Sequence, residues 1–211
     1  MASAFVVALL GAESTGKTTL AAQLRDALAA DGHRVAVVWE YLREFCVDAG
    51  RTPHKEEQAG IAAEQARRIE AARADHDIVI ADTTALMVAV YSELVFADPS
   101  LYAAAAAAQR GVDLTLLTAL DIPWQADGLQ REGPHVQGPV DALLRAALQR
   151  EGLAYAVVAG SGPQRLASAM QAVRHAMRVP SIEDEAAGNP RWEWICERCG
   201  DAGCERHFLP R

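Results

Sequence analysis

The sequence lacks several features that mark other classes of protein. It contains no apolar run near the roughly 20 residues that a membrane-spanning helix needs, and its N-terminus has no basic segment of the kind that opens a secretion signal. It also has no basic excess, since 20 Lys and Arg against 28 Asp and Glu give a net charge of −8. This balance argues against nucleic-acid and anionic-membrane partners. The four cysteines, three of them near the C-terminus, do not resemble a disulfide framework. We therefore expect a cytoplasmic protein.

One motif carries most of the functional information. The segment Gly11–Thr18 fits the phosphate-binding P-loop pattern, in which two glycines five residues apart precede Lys and then Ser or Thr. The apolar, strand-like run Phe5–Leu10 comes before it, and leucines spaced four apart after it predict an amphipathic helix that reaches Ala30. Strand, loop and helix are the context that the motif requires. The sequence therefore predicts that the chain binds a nucleoside triphosphate, ATP together with Mg²⁺.

The residue types of the P-loop suit the binding of phosphate and Mg²⁺. The glycines let the backbone wrap around phosphate oxygens, and the N–H groups of the loop and of the helix start form an anion site. Lys17 would reach the β- and γ-phosphates, and the Thr18 hydroxyl would ligate Mg²⁺. The predicted nucleotide site contains Gly11, Glu13, Ser14, Thr15, Gly16, Lys17, Thr18 and Thr19.

Alternating strand and helix patterns fill the rest of the chain. This alternation predicts the α/β class, a three-layer P-loop kinase fold with a five-stranded parallel sheet over residues 1–180. The strands are predicted at residues 5–10, 34–39, 77–81, 113–120 and 154–158. The helices are predicted at 18–30, from Thr52 and Pro53 to 74, 84–95, after Asp98 and Pro99, 139–151 and 163–177. We expect a long loop over 121–139, a linker over 181–190 and a short C-terminal Cys/His tail over 191–211.

Acidic residues follow three of the predicted strands. Because ligands of open parallel sheets bind at the carboxyl ends of the strands, Glu40, Asp82 and Asp121 are expected near the P-loop. Asp82 ends an apolar run in the manner of a Walker B carboxylate and would hold Mg²⁺, or it caps the helix that follows. Glu40 would accept the proton of an acceptor hydroxyl as general base. Arg43 either grips a polar substrate or forms a surface ion pair.

Three further segments, taken with the P-loop, resemble a known family. They are Glu40-Tyr-Leu-Arg-Glu44, Ala81-Asp-Thr-Thr84 and Asp121-Ile-Pro-Trp-Gln-Ala-Asp-Gly-Leu129, and their order is similar to that of the ribosylnicotinamide kinase domain of the NadR family. The resemblance covers residues 4–178. It implies an ATP-dependent kinase of NAD biosynthesis that phosphorylates the 5′-hydroxyl of nicotinamide riboside. NadR proteins often carry an adenylyltransferase domain ahead of the kinase. Since the P-loop here starts at residue 11, we expect that second activity to be absent.

The resemblance also assigns roles to single residues. It implies that the segment after Asp121 is a lid over the phosphates and that Arg165 borders the adenine. Family members usually place arginine directly after Asp-Gly-Leu, whereas this chain has Gln130 there and Arg131 next. We assign to Arg131 the stabilisation of charge on the transferred phosphoryl group.

A cationic nicotinamide ring favours aromatic faces and nearby acids. The predicted substrate residues are therefore Glu40, Tyr41, Arg43, Tyr91, Asp121, Trp124 and Asp127. The alternative for each aromatic residue is a packing role.

The C-terminal tail predicts a second metal site. Cys196, Cys199, Cys204 and His207 fall within twelve residues, and thiolates and imidazole at this density suit a tetrahedral structural Zn²⁺. The alternatives are a reactive tail or a ligand set that another chain completes. Cys46, which stands alone, is expected to be a buried apolar residue.

Three functions remain open on the sequence alone. The chain is a kinase for a small-molecule nucleoside, nicotinamide riboside; a kinase for another acceptor such as thiamine; or a regulatory ATP-binding protein whose tail binds a partner. The sequence does not decide between ATP and GTP, and it leaves the oligomeric state open, with a homodimer among the options.

Overall fold

Five parallel strands form the centre of the structure, a computed structural model that describes residues 3–125 and 133–178. Within these residues the strands are β1 Phe5–Leu10, β2 Val35–Val38, β3 Ile78–Asp82, β4 Leu114–Thr118 and β5 Ala156–Val158. Their order in the sheet is β2-β3-β1-β4-β5. The first strand is therefore central, and the loop that follows it lies between the ends of β3 and β4.

Helices connect the strands and cover both faces of the sheet. The described helices are α1 Lys17–Ala30, α2 Tyr41–Ala49, α3 Gln58–Ala72, α4 Ala85–Phe96, α5 Tyr102–Gln109, α6 Gln137–Arg150 and α7 Gly162–Arg178. Two short 3₁₀ turns, Lys55–Glu57 and Pro134–Val136, lead into α3 and α6. None of these helices is both long and apolar enough to cross a membrane.

The pleat of the strands divides the core between the two faces. Val7 and Leu9 of β1 pack with leucines of α1 and with α7, whereas Leu10 packs with α4 and α6. Side chains of a strand alternate between faces, so one apolar strand can serve two layers of helices. The predicted three-layer α/β fold with a five-stranded parallel sheet is confirmed.

The structure corrects where α3 begins. The sequence predicted an N-cap at Thr52, but the chain first forms the 3₁₀ turn after His54, and α3 starts only at Gln58. The reason is the Glu57 side chain, which reaches back to accept a hydrogen bond from the His54 N–H at 2.7 Å. Arg51 holds the same carboxylate through two bonds.

Two other boundaries differ from the prediction. Helix α2, which follows β2 directly, was not predicted; it ends where Gly50 adopts a left-handed φ of 66°, a conformation that glycine tolerates. Helix α5 begins at Tyr102, because Asp98 accepts from the Ser100 N–H and forms a separate turn. The predicted linker 181–190 and tail 191–211 lie outside the described residues.

Candidate active site

The P-loop connects β1 to α1 and owes its path to two glycines. Gly11 has a φ of 145°, and a Cβ added there would lie 2.1 Å from the Thr118 Oγ1. No side chain fits at that distance, so glycine is required. Gly16, at a φ of 77°, turns the chain into α1. The loop therefore wraps closely against the end of β4.

Buried hydroxyl groups support the loop from below. The Oγ1 atoms of Thr15 and Thr118 lie 2.7 Å apart. The Thr15 hydroxyl donates to the Ala12 carbonyl at 2.8 Å, and the Thr118 hydroxyl reaches the Leu10 carbonyl at 3.1 Å. Thr15 and Thr118 are at most 1% exposed, so these contacts are shielded from water. Thr118 was not predicted as a site residue, since nothing local to β4 marks it.

The positive groups of the loop are placed for an anion. Lys17 Nζ donates to the carbonyls of Gly11 and Ala12 at 2.9 and 2.8 Å, which keeps its ammonium group over the loop. Helix α1 has no acidic side chain in its first turn, where Thr18 and Thr19 are exposed. No acidic side chain of the helix itself therefore neutralises its positive N-terminus.

Asp82 and Thr18 meet beside this helix start. Asp82 is the last residue of β3 and lies two positions after Ile80, whose side chain packs with α1; the pleat therefore turns Asp82 to the same face. Its Oδ2 accepts from the Thr18 hydroxyl at 2.6 Å. Its Oδ1 is buried without a hydrogen-bond partner among the described residues. A free carboxylate oxygen beside a hydroxyl oxygen is a donor set that suits Mg²⁺.

The surroundings of Asp82 test one of its two predicted roles, the capping of α4. Burial raises the pKa of Asp82, although the Thr18 hydrogen bond and the charge of Lys17 act in the opposite direction. A different residue caps α4, because Thr84 Oγ1 accepts from the Leu86 N–H. The alternative that Asp82 caps this helix is therefore wrong.

Glu40 lies at the end of the neighbouring strand β2. It immediately precedes α2, but its side chain makes no capping bond to that helix. Instead its Oε2 accepts from Arg43 Nε at 2.9 Å. Glu44, one turn later, pairs with Arg68 on the exposed surface. The pair of Glu40 and Arg43 thus belongs to the site, whereas Glu44 does not.

A cavity of about 320 Å³ opens between the P-loop and helices α2 and α4. Lys17, Glu13, Glu40 and Arg43 form its polar side. Its apolar wall contains Leu42, Cys46, Met87, Tyr91, Leu94, Val95, Phe96 and Val136. This space is lined by Lys17 and is large enough for a small ligand.

Two buried residues, Cys46 and Gln58, line the cavity. Cys46 is buried as predicted, and that burial raises the pKa of its thiol. Gln58, the first residue of α3, is 5% exposed and lines the cavity. Because its polar side chain lines the cavity, Gln58 is a candidate ligand-binding residue that sequence reasoning missed.

The other predicted substrate residues are distributed around the cavity. Tyr91 lines it, whereas Tyr41 does not; the Tyr41 ring lies under the Arg68 guanidinium at 4.4 Å. Trp124 donates through Nε1 to Glu13 Oε1 at 3.1 Å, and the Gly133 N–H reaches the same oxygen. Glu13 therefore contacts the chain on both sides of residues 126–132. Asp127, Gln130 and Arg131 lie outside the described residues.

Arg165 and Asp121 hold the back of the P-loop. The Arg165 guanidinium is buried and donates to Asp121 Oδ1 at 2.7 Å and to the Thr15 carbonyl at 3.0 Å. It also donates to the Gly160 and Ala119 carbonyls. Partial burial of Asp121 opposes ionisation, but the bonds from Arg165 and the Gly160 N–H lower its pKa. Asp121 thus positions Arg165. The contact of Asp121 with substrate and the contact of Arg165 with adenine both stay predictions.

A family model for an AAA domain matches residues 6–165. This chain belongs to that AAA domain family. The match begins within β1 and ends at Arg165, so the segment of the AAA domain contains the P-loop, the three acids that follow strands and the arginine that supports the loop. No match is found among curated proteins.

The fold of this AAA domain is similar to two solved structures. A crystal structure of NadR protein in complex with NR is 22% identical in sequence, has a TM-score of 0.71 and is matched over 84% of this chain. A crystal structure of NadR protein in complex with NAD and AMP-PNP is 21% identical, with a TM-score of 0.67 over 84% of this chain. The chain spans about half the length of each, 52% and 50%. The resemblance to the NadR family is confirmed at the level of the fold.

The described part of the AAA domain contains no group of three His, Cys, Asp or Glu side chains that could hold a metal ion. The candidate zinc ligands Cys196, Cys199, Cys204 and His207 lie outside that part, and their assignment stays a prediction.

Proposed function

We propose that this AAA domain is a kinase that transfers the γ-phosphate of ATP to the 5′-hydroxyl of nicotinamide riboside and releases nicotinamide mononucleotide and ADP. The observation that carries the proposal is the cavity lined by Lys17, which also contains Glu40, Tyr91 and Gln58. Solved structures of the same fold, described as NadR protein in complex with NR and with AMP-PNP, support the choice of ligands.

The phosphate side of the reaction uses the P-loop. Its N–H groups, the α1 N-terminus and Lys17 would bind the triphosphate. Thr18 and Asp82 would hold Mg²⁺, which when bound neutralises charge on the β- and γ-phosphates. The buried, unpartnered Oδ1 of Asp82 supports this assignment, because a buried carboxylate oxygen without a partner is costly unless a cation compensates it.

The acceptor side of the reaction uses the cavity. The Glu40 carboxylate would take the proton from the 5′-hydroxyl of the riboside. At the same time, the oxygen of that hydroxyl forms a bond to the γ-phosphorus. The bond from that phosphorus to the β–γ bridging oxygen breaks, and ADP leaves with the electron pair. Arg43 fixes the orientation of Glu40 through the bond at 2.9 Å. Two carboxylates, Glu13 and Glu40, and the Tyr91 ring suit a cationic heterocycle.

A panel of acceptors tests the proposal. The full chain is incubated with Mg-ATP and with nicotinamide riboside, other nucleosides or thiamine, and ADP and the phosphorylated product are measured by mass spectrometry. We expect one ADP for each nicotinamide mononucleotide. Lys17→Met should abolish turnover, while the matched control Lys55→Met should not, because Lys55 is half-exposed, pairs with Asp98 and does not line the cavity. Turnover with a different acceptor alone would overturn the choice of substrate.

A further inference from the structure

Gln65 is a buried polar residue on the inner face of α3. It is 2% exposed and lies on the helix face that carries Ile61 and Ile69. A buried amide is costly unless both of its ends are hydrogen-bonded. Gln65 satisfies both ends with backbone groups: its Oε1 accepts from the Tyr41 N–H at 2.8 Å, and its Nε2 donates to the Thr83 carbonyl at 3.2 Å.

Each of these backbone groups belongs to the residue directly after a site acid. Tyr41 follows Glu40 at the end of β2, and Thr83 follows Asp82 at the end of β3. These two strands are neighbours in the sheet. A single side chain therefore joins the two turns that carry the carboxylates of the site.

Neither turn is held by local sequence alone. The Tyr41 N–H is one of the first donors of α2, which have no partner within the helix, and the Glu40 side chain does not supply one. Thr83 has a left-handed φ of 73°, which a β-branched residue avoids. Its N–H donates to the Leu9 carbonyl and its own carbonyl accepts from Gln65. The turn thus depends on these two bonds to keep its shape.

We propose that Gln65 is a positioning residue that fixes Glu40 and Asp82 relative to each other, so that the acceptor base and the magnesium carboxylate keep their places around the transferred phosphate. The inference rests on the proposed function for its kinetic consequence. Its structural consequence, that Asp82 loses its place when Gln65 is removed, does not depend on the acceptor.

A second buried glutamine supplies the matched control. Gln109 is also 2% exposed, and its amide is also bonded at both ends, to the hydroxyls of Thr84 and Thr115 at 2.6 and 2.9 Å. It does not bond to the backbone after either acid. Gln65→Leu and Gln109→Leu therefore each remove a hydrogen-bonded side-chain amide from an equally buried position. We expect similar losses of thermal stability in the two variants.

The first test compares the kinetics of the two variants. Misplacement of a catalytic group by about 1 Å costs up to roughly a hundredfold in rate. We expect Gln65→Leu to lower kcat by about tenfold to a hundredfold while KM for ATP stays near its wild-type value. Gln109→Leu should keep kcat near wild type. An equal loss in both variants, in step with their lower stability, would overturn the proposal.

The second test needs no acceptor. The affinity of a non-hydrolysable ATP analogue is measured with and without Mg²⁺, and amide hydrogen exchange is followed at Tyr41. We expect Gln65→Leu to reduce the gain in affinity that Mg²⁺ provides and to expose the Tyr41 N–H, with neither change in Gln109→Leu. An unchanged Mg²⁺ gain in Gln65→Leu would overturn the proposal. Absence of riboside phosphorylation by the wild type would instead contradict the proposed function, and the Mg²⁺ measurement would still decide the role of Gln65.

Discussion

Replacement of Asp82 by asparagine should make the protein more stable and less functional. Asp82 is 1% exposed, and its Oδ1 has no partner among the described residues. A charged oxygen in such a place costs about 1–2 kcal/mol more than a neutral amide, while the bond from Thr18 weakens by less than that when its acceptor is uncharged. We expect Asp82→Asn to raise the free energy of unfolding by about 1 kcal/mol at neutral pH, or the melting temperature by about 2–4 °C.

The pH dependence of this gain has a definite sign. Burial raises the pKa of Asp82 in the folded protein above its ordinary value of 3.8, so the folded state binds the proton more tightly than the unfolded state. The folded wild type is therefore favoured at low pH, and this contribution is lost as the pH rises through the folded pKa. The advantage of Asp82→Asn should be full at pH values above the folded pKa of Asp82 and should disappear as the pH falls towards 3.8.

Urea unfolding of both proteins across this pH range measures the effect, and Asp113→Asn is the matched control. The Asp113 carboxylate accepts from the Val6 N–H at 2.7 Å at the opposite end of the sheet, so its replacement should lower stability or leave it unchanged. Mg-ATP should stabilise the wild type through binding and should stabilise Asp82→Asn much less. A variant that is less stable than the wild type at neutral pH, or an equal gain in Asp113→Asn, would refute the reasoning.

Three other substitutions examine separate parts of the site. Glu40→Gln should lower kcat by a factor of about 10²–10⁴, with the ATP affinity unchanged in calorimetry. The control Glu44→Gln should resemble the wild type. A loss of ATP affinity without a loss of rate would contradict the role of Glu40 as base. Gln58→Leu should raise the acceptor KM by about tenfold, and an unchanged KM would show that its amide does not bind the acceptor. Gly11→Ala should lower the free energy of unfolding by at least about 3 kcal/mol, because steric overlap adds to backbone strain. Gly32→Ala, at a φ of 95° with open space around it, should lose only about 1–2 kcal/mol, and equal losses in denaturant titrations would show that the contact with Thr118 is unimportant.

Local patterns were sufficient to predict the layers and the phosphate loop. The run Phe5–Leu10, the P-loop glycines and the leucines of α1 are each recognised within a few residues, and the fold they predict is confirmed. Asp82 was identifiable because it ends a wholly apolar strand. Such features depend on strand and helix periodicity, which the sequence displays directly.

The parts that were missed depend on contacts between distant segments. Gln58 and Gln65 lie seven residues apart on one face of α3, yet the sequence alone does not tell whether an inward glutamine meets a backbone group, a cavity or water. Arg165 was expected beside the adenine, and its bonds to Thr15 and Asp121 became visible only in three dimensions. The start of α3 was predicted wrongly because the Glu57 side chain accepts a hydrogen bond from the His54 N–H, three residues earlier. Such a contact was not evident from the sequence.

The bond between Arg165 and the Thr15 carbonyl joins residues 150 positions apart. During synthesis, the nucleotide loop therefore acquires this support from Arg165 only after α7 has been made. We expect a nascent chain halted before residue 165 to capture ATP poorly, even though every residue of the loop has already left the ribosome.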